Sequence, residues 1–306
     1  MNTTIIFALA SALAIALGAG LLFIERGRFL RGSTWRLLRA GGWQKLRDKT
    51  FFHSYLYARF TKEYIGYALK NALPKLSPRA RHSVADHYHG KVLPLALAEA
   101  IVTHDHDTAL HDLEQVIPYP VARNLVLNGS PEVAVFDCPC RTAREHHCEP
   151  LQVCMIVGQP FVDFIVEHHP QTARRVTTNQ AIEILRAEHA RGHVHTAYFK
   201  DAMLDRFYAI CNCCKCCCGG IEAMMKHHVP MLASSGYVAR VNEILCAGCG
   251  TCADACAFDA IQLNGHSNVI WEKCMGCGVC EGQCPNDAIE LARDEHKGVP
   301  LDVRAL

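Results

Sequence analysis

Cysteine is the residue type with the greatest chemical potential in this chain, supplying 18 of its 306 residues. Thiolates bind soft metal ions and iron–sulfur clusters, and they can also be oxidised to disulfides. At this chain length the cysteine content is too low for a small disulfide scaffold. The crowding of the cysteines into two separate fields is instead typical of metal ligation.

Eight cysteines form an internal repeat with an offset of 28 residues. Residues 246–261 and 274–289 match at 9 of 16 positions, including all four cysteines, and each copy has the spacing C-x2-C-x2-C-x3-C. Three cysteines spaced in this way reach one cubane only if the loop turns tightly, which predicts turns at the glycines between them. Those glycines are Gly248, Gly250, Gly276 and Gly278. The fourth cysteine of each copy then points towards the other cluster.

The segment 237–292 resembles the bacterial two-[4Fe-4S] ferredoxin module, which implies a pseudo-twofold pair of βαβ-like halves. The resemblance also implies the ligands: cluster 1 would be bound by Cys246, Cys249, Cys252 and Cys284, and cluster 2 by Cys274, Cys277, Cys280 and Cys256. One departure is Ala257, which stands where the family has the proline found in the second copy as Pro285. A zinc ribbon or disulfides are the alternatives, and both fit the eight-cysteine spacing poorly.

Ten cysteines lie upstream of the repeat, and their ligand is less clear from spacing. They are Cys138, Cys140, Cys148, Cys154, Cys211, Cys213, Cys214, Cys216, Cys217 and Cys218. We favour iron–sulfur ligation, in one or two further clusters; zinc or another thiophilic metal, and unligated or redox-active thiols, are the alternatives. His195 is a weaker candidate ligand. Arg141 and Lys215 stand beside these cysteines, either to raise a cluster's reduction potential or as solvated charges.

The order of motifs over 130–292 extends the resemblance. CPCR, two further cysteines, a helix, CNCC-x-CCC, SSGYVA and the repeat follow one another as in a group of membrane-anchored, cysteine-rich ferredoxin-like proteins of bacteria. The resemblance implies iron–sulfur electron transfer and names no substrate.

The N-terminal segment predicts a membrane anchor. Residues 3–24 are uncharged and mostly apolar, and 22 helical residues extend about 33 Å, enough to cross a hydrocarbon core of about 30 Å. Eight basic against two acidic residues follow over 25–49, a net charge of +6. The positive-inside rule therefore predicts a single-pass protein of the cell (inner) membrane, with the bulk of the chain cytoplasmic and the basic segment at anionic lipid headgroups.

Charge also indicates the partners. The whole chain carries 31 basic and 30 acidic residues, so nothing in its charge points to nucleic acid. The segment 237–292 carries two basic and seven acidic residues, a net charge of −5. This favours redox protein partners with basic docking surfaces.

Hydrophobic periodicity and breaker residues predict the elements that position the cysteines. Helices are predicted at 51–73, 95–103, 107–116, 120–127 and 178–190. Strands are predicted at 132–136, 193–199, 237–241 and 268–270. The first strand leads into the CPCR turn, and the last two precede the two cysteine loops.

The predicted fold class is α+β, with one N-terminal transmembrane helix, a helical and mixed cysteine-rich middle and a C-terminal ferredoxin-like 2[4Fe-4S] module. In chain order we predict a transmembrane helix (1–24), a basic juxtamembrane collar (25–49), a helical segment (50–130), a cysteine-rich α/β domain (131–236), a ferredoxin domain (237–292) and a tail (293–306).

The predicted function is that of a membrane-anchored iron–sulfur electron-transfer protein, more a carrier or subunit than a stand-alone enzyme. An oxidoreductase with a catalytic upstream cluster is the first alternative; no GxGxxG fingerprint or P-loop supports it. A membrane-tethered redox or metal sensor is the second.

Overall fold

The predicted membrane anchor is wrong. A computed structural model of the protein describes residues 11–20, Glu25 and residues 30–305. Within the described residues, 11–20 are helical and belong to helix α1. Among the described residues no helix is long and apolar enough to cross a membrane. This finding overturns the transmembrane helix, the fold class that included it and the single-pass membrane localisation; the rest of 1–24 lies outside the described residues.

Helices α2 to α5 precede the sheet. They are α2 (Gly32–Arg47), α3 (Thr50–Arg59), α4 (Thr61–Tyr67) and α5 (Pro78–His87), with a π-helical turn at Ala68–Ala72 and a 3-10 turn at Leu73–Lys75 before α5. The predicted helix at 51–73 is thus confirmed, with an interruption at Phe60. Basic residues of α2 pair within the chain, since Arg36 Nη2 lies 2.7 Å from Asp163 Oδ2 and Lys45 Nζ lies 2.5 Å from Asp205 Oδ2.

The chain adopts a mixed α/β fold built on a seven-stranded sheet. Its strands are β1 (Tyr88–Leu93), β4 (Val133–Asp137), β5 (Gln152–Val157), β6 (Ala173–Val176), β7 (Val194–Lys200), β8 (Arg206–Cys213) and β9 (Leu232–Ala233). Their order is β6-β4-β5-β8-β7-β1-β9, and every neighbouring pair is antiparallel except β1 with β9. The predicted strands at 132–136 and 193–199 are confirmed as β4 and β7. Both are almost wholly buried.

Five helices accompany the sheet strands. They are α6 (Leu95–Val102), α7 (Pro139–Thr142), α8 (Phe161–His168), α9 (Thr178–Ala190) and α10 (Gly219–Met225). The predicted helices at 95–103 and 178–190 are confirmed. Helix α9 begins with a capping box, in which Thr177 and Gln180 each bond the other's backbone N–H.

The predicted helices at 107–116 and 120–127 are wrong. The chain forms a two-stranded hairpin there, from β2 (Thr108–Leu110) and β3 (Leu125–Leu127). Each predicted helix contains a residue with a positive φ angle, Asp112 (61°) in the first and Ala122 (56°) in the second, which is incompatible with a continuous helix.

The C-terminal segment forms two small antiparallel pairs. Strand β10 (Tyr237–Val241) pairs with β13 (Ile289–Arg293), and β11 (Ile261–Asn264) pairs with β12 (His266–Val269). Short helices α11 (Thr251–Ala255) and α12 (Val279–Gly282) and a 3-10 turn at Glu295–Lys297 complete the segment. The predicted strand at 237–241 is confirmed, and that at 268–270 overlaps β12. The domain boundaries stay a prediction.

Candidate metal centres

The two cysteine loops of the repeat share one backbone conformation. Positions related by the offset of 28 have matching positive φ angles: Gly248 (65°) with Gly276 (62°), Gly250 (87°) with Gly278 (79°), and Asp259 (48°) with Asp287 (48°). The tight turns predicted for the four glycines are therefore confirmed. The two copies of the repeat are therefore similar in backbone conformation as well as in sequence.

Two of these glycines are also required by close packing. A Cβ atom on Gly248 would overlap the carbonyl oxygen of Gly265, and a Cβ atom on Gly276 would overlap the carbonyl oxygen of Tyr237. Backbone atoms cannot move aside as a flexible side chain can. Each loop is thus held against a neighbouring backbone segment.

Gly276→Ala is expected to empty the second cysteine loop of iron, because the new methyl group forces that loop away from Tyr237. Gly265→Ala is the matched control: its φ is 78°, but no atom lies within 4 Å of the new Cβ, so only about 1–2 kcal/mol of backbone strain is expected. Iron per chain, measured anaerobically, should fall in the first variant and not in the second. Equal iron contents would contradict the role given to this contact.

Backbone N–H groups are directed at the sulfur atoms. Ala260 N donates to Cys256 Sγ at 3.4 Å, and the repeat-related Ala288 N donates to Cys284 Sγ at 3.3 Å. Ser267 N donates to Cys246 Sγ at 3.4 Å, and this bond is the main reason why the pKa of Cys246 is lowered to about 7. Such bonds stabilise thiolates, the form in which cysteine binds iron.

The two implied ligand sets differ in exposure. In the first set Cys249 is exposed, Cys246 and Cys284 are half-buried, and only Cys252 is buried. All four members of the second set, which includes Cys256, are buried. Burial raises the pKa of Cys277 to about 12 in the absence of a metal. One end of the repeat therefore faces solvent and the other faces the protein.

The upstream cysteines separate into a group of six and a group of four. The six belong to β5, β8, α7 and the ends of β4 and α10, on strands that are neighbours in the sheet. Pairing of Met155 with Ile210 places Cys154 opposite Cys211, and Cys213 shares the face of Cys211 because side chains alternate along a strand. We name this group the six-cysteine ring: Cys138, Cys140, Cys218, Cys213, Cys211 and Cys154.

In the six-cysteine ring the pKa of each thiol is shifted by the two thiols beside it in the order just given, with Cys154 beside Cys138. In the described part of the chain, no three of these sulfurs come within 4.8 Å of one another. The ring sulfurs are therefore too far apart to surround a single ion. A cluster with several irons holds its ligands further apart and fits the ring better. The ring has two thiols more than the four that a cubane needs.

A cavity of about 530 Å³ adjoins the six-cysteine ring. Its wall includes the ring cysteines and a group of tyrosines whose hydroxyls are linked: Tyr57 Oη lies 2.7 Å from Tyr208 Oη and 3.1 Å from Tyr88 Oη. Lys200 Nζ lies 4.5 Å from the centre of the Tyr88 ring, and burial lowers the pKa of Lys200 to about 8. Sequence analysis missed this wall, because nothing in the helical aromatic pattern distinguishes Tyr57 from ordinary core residues.

Arg141 is fully buried, which excludes the solvated alternative for this residue. Its Nη2 lies 2.9 Å from Glu188 Oε2 and donates to Asn212 O at 3.4 Å. Burial by itself would raise the pKa of Glu188, but hydrogen bonds and charges from His193 and Arg141 hold that pKa below its usual value. Glu188 was missed at the sequence level because it lies 47 residues from Arg141.

Lys215 and His195 lie where the upstream cysteines meet the repeat. Lys215 is about half exposed, and its Nζ lies 3.3 Å from Asp259 Oδ1 in the first copy. His195 is buried, with Nδ1 2.6 Å from Asn212 Oδ1, and its ring stacks on His189 at a centroid distance of 5.5 Å. The role of His195 as a metal ligand stays a prediction.

Comparison with known families identifies the repeat in part. Residues 268–290 match the 4Fe-4S binding domain, and this segment contains Cys274, Cys277, Cys280 and Cys284. Neither curated proteins nor solved structures give a match to the chain. The chain is thus an iron–sulfur protein with at least one 4Fe-4S cluster, and its many other cysteines accord with an electron-transfer or redox function.

Proposed function

We propose that the protein transfers single electrons between a redox protein partner and the six-cysteine ring, through two [4Fe-4S] clusters held by the repeat. The ligand sets are those implied by the ferredoxin resemblance, and the ring holds a further cluster. Such clusters supply one-electron chemistry with little rearrangement. The observation that carries the proposal is the difference in exposure between the two sets, from the exposed Cys249 to the fully buried second set.

Contacts at the buried end of the repeat support a route for electrons from the second ligand set to the six-cysteine ring. Gln283 Nε2 donates to the carbonyl oxygen of Ala190 at 2.9 Å, so the loop of the second set lies against the end of α9. His189, on the same helix, stacks on His195, which in turn bonds Asn212 between two ring cysteines. These packed side chains connect the second loop with the six-cysteine ring.

The exposed end has the character of a docking surface. Ile244 and Leu245, which precede Cys246, are 94% and 48% exposed, and Leu263 is 48% exposed. Glu243 directly precedes Ile244, and the segment 237–292 carries a net charge of −5. We propose a partner with an apolar contact rimmed by basic residues, since opposite charge accelerates association and orients the partner.

Purified anaerobically, the chain is expected to contain about twelve iron and twelve sulfide, eight of each from the repeat and four from the ring. Low-temperature EPR should show reducible [4Fe-4S] signals. About eight iron would mean that the six-cysteine ring holds no cluster. The absence of any reducible [4Fe-4S] signal would contradict the electron-transfer function as a whole.

A second function, reduction of a small molecule at the ring, is favoured by the adjoining cavity. Its volume of about 530 Å³ lies within the range of small-molecule sites, about 300–1,000 Å³, and its wall combines apolar surface with tyrosine hydroxyls and Lys200. A ligand bound there should change the EPR spectrum of the ring's cluster. Invariance of that spectrum across a broad set of small ligands would favour electron transfer alone.

A further inference from the structure

Four upstream cysteines form a second, more compact group outside the six-cysteine ring. Their Sγ atoms all lie within 4.8 Å of one another. Cys148 Sγ lies 2.7 Å from Cys216 Sγ and 3.8 Å from Cys217 Sγ, and Cys216 Sγ lies 3.4 Å from Cys217 Sγ. We name this set the four-cysteine group: Cys148, Cys214, Cys216 and Cys217.

Four sulfurs within 4.8 Å of one another can surround one tetrahedral ion, and the Cys148–Cys216 separation of 2.7 Å would widen when the ion binds. Thiolates bound to zinc at about 2.3 Å in tetrahedral geometry lie about 3.8 Å apart. In a cubane each thiolate binds a different iron, so the four sulfurs lie further apart. Within the described residues no other three cysteines have Sγ atoms within 4.8 Å of one another, and this holds for the eight cysteines of the repeat as well.

We propose that the four-cysteine group binds a single divalent metal ion, Zn²⁺ or Fe²⁺, without bridging sulfide. A site of four sulfur ligands in tetrahedral geometry is characteristic of these metals. The inference goes beyond electron transfer through the clusters, because it assigns four of the eighteen cysteines to another kind of centre. It also explains why ten upstream cysteines occur where clusters need fewer.

The backbone brings these thiols together from two places. Cys148 lies in the loop after α7, and the other three lie in the turn between β8 and α10, which is closed by a bond from Cys218 N to Cys214 O at 3.2 Å. Arg144, which precedes Cys148 in the same loop, donates to Cys217 O at 3.4 Å and pairs with Glu222 of α10. The loop and the turn are therefore already attached to each other beside the proposed ion.

Positive charge lies where four thiolates and one divalent ion would leave a net charge of −2. Lys215 stands between Cys214 and Cys216 in the sequence and pairs with Asp259 of the repeat, and Arg144 donates to Cys217 O. Cys216 is exposed and Cys148 half-buried, so an ion can enter from solvent, while Cys214 and Cys217 are buried. The ion would fasten the loop of Cys148 to the turn that leads into Cys218 of the six-cysteine ring.

The double variant Cys148→Ser, Cys216→Ser tests the proposal in the full chain, since both residues lie on the accessible side. Anaerobically purified wild type is supplied with Zn²⁺, or with Co²⁺ as its spectroscopic substitute, and should bind about one such ion per chain. If the site is already filled with Fe²⁺, the purified protein should instead hold about one iron in excess of sulfide. The double variant should lose that one ion and keep its sulfide. With cobalt, the visible absorption of a tetrahedral thiolate site should disappear.

Cys249→Ser is the matched control, because it also removes an exposed thiol but from the repeat. It should lower iron and sulfide together and leave the single ion in place. Loss of iron and sulfide in equal amounts from the double variant would overturn the proposal, because the group would then hold a cluster. Wild type that binds neither zinc, cobalt nor excess iron would also overturn it, even if its clusters transfer electrons normally.

Discussion

The triple variant Cys140→Ser, Cys154→Ser, Cys213→Ser is expected to contain about eight iron and eight sulfide per chain, against about twelve in the wild type. These residues are alternate members of the six-cysteine ring, so only Cys138, Cys211 and Cys218 remain. Three thiolates do not complete a [4Fe-4S] site, which takes four. The loss should therefore be confined to one cluster. Iron and acid-labile sulfide, measured anaerobically on the same sample, check the result.

The repeat provides the internal control for this variant. Its eight cysteines belong to other strands and loops, so the EPR signals of the ferredoxin-type clusters should persist, which also demonstrates that the variant has folded. A triple variant that keeps about twelve iron would contradict a cluster in the ring. The single variant Cys211→Ser refines the experiment, because this half-buried residue is at the cavity and its loss should change only the upstream EPR signal.

The repeat was the most predictable part of the molecule, because its geometry is local. Cysteines separated by two intervening residues leave the chain few ways to surround one cluster, and the glycines at 248, 250, 276 and 278 adopt the positive φ angles that the turns need. The adjoining strand at 237–241 was predictable for a related reason, since it lies just before a cysteine loop. Short-range spacing alone carried these inferences.

The arrangement of the upstream cysteines was not predictable, because it depends on the sheet. The triplet Cys216, Cys217 and Cys218 divides between two sites: the first two belong to the four-cysteine group and the third to the ring. That division arises where a turn meets α10, and the partner Cys148 comes from 68 residues away. The sequence alone does not show which of three adjacent cysteine side chains points to which side of a turn.

Apolar composition misled the interpretation of the N-terminus. The uncharged run at 3–24 fits a membrane span by length, yet the described part of the chain contains no helix that is both long and apolar enough. The basic residues that follow were interpreted as a collar at lipid headgroups. That contact stays a prediction, and two of these residues, Arg36 and Lys45, form ion pairs with Asp163 and Asp205, acidic residues that are distant in sequence. Only the fold reveals such partners.

Arg141→Met is expected to lower the free energy of unfolding by about 3 kcal/mol, because it removes the fully buried cation that is paired with the buried carboxylate of Glu188. Arg141 and Glu188 side chains are 0% and 1% exposed, and Met replaces the volume of Arg without its charge. This loss of stability lies at the lower end of the range for buried pairs, because two other groups still contact Glu188. Arg191 Nη1 lies 2.7 Å and His193 Nδ1 lies 2.6 Å from its carboxylate. Urea unfolding under anaerobic conditions measures the change.

The pH dependence of this loss identifies its cause. The pKa of Glu188 is lowered in the folded wild type, so the pair stabilises the fold above the usual carboxyl pKa and loses its effect as pH falls through the lowered value. Protonation of Glu188 in the variant removes the unpaired charge, and the difference between variant and wild type should therefore shrink in acid. Arg186→Met is the control: Arg186 Nε lies 2.6 Å from Glu99 Oε1, but its side chain is 66% exposed, so a much smaller loss of stability is expected than for Arg141→Met. Equal losses in the two variants, or a loss at Arg141 that is independent of pH, would refute the buried-pair explanation.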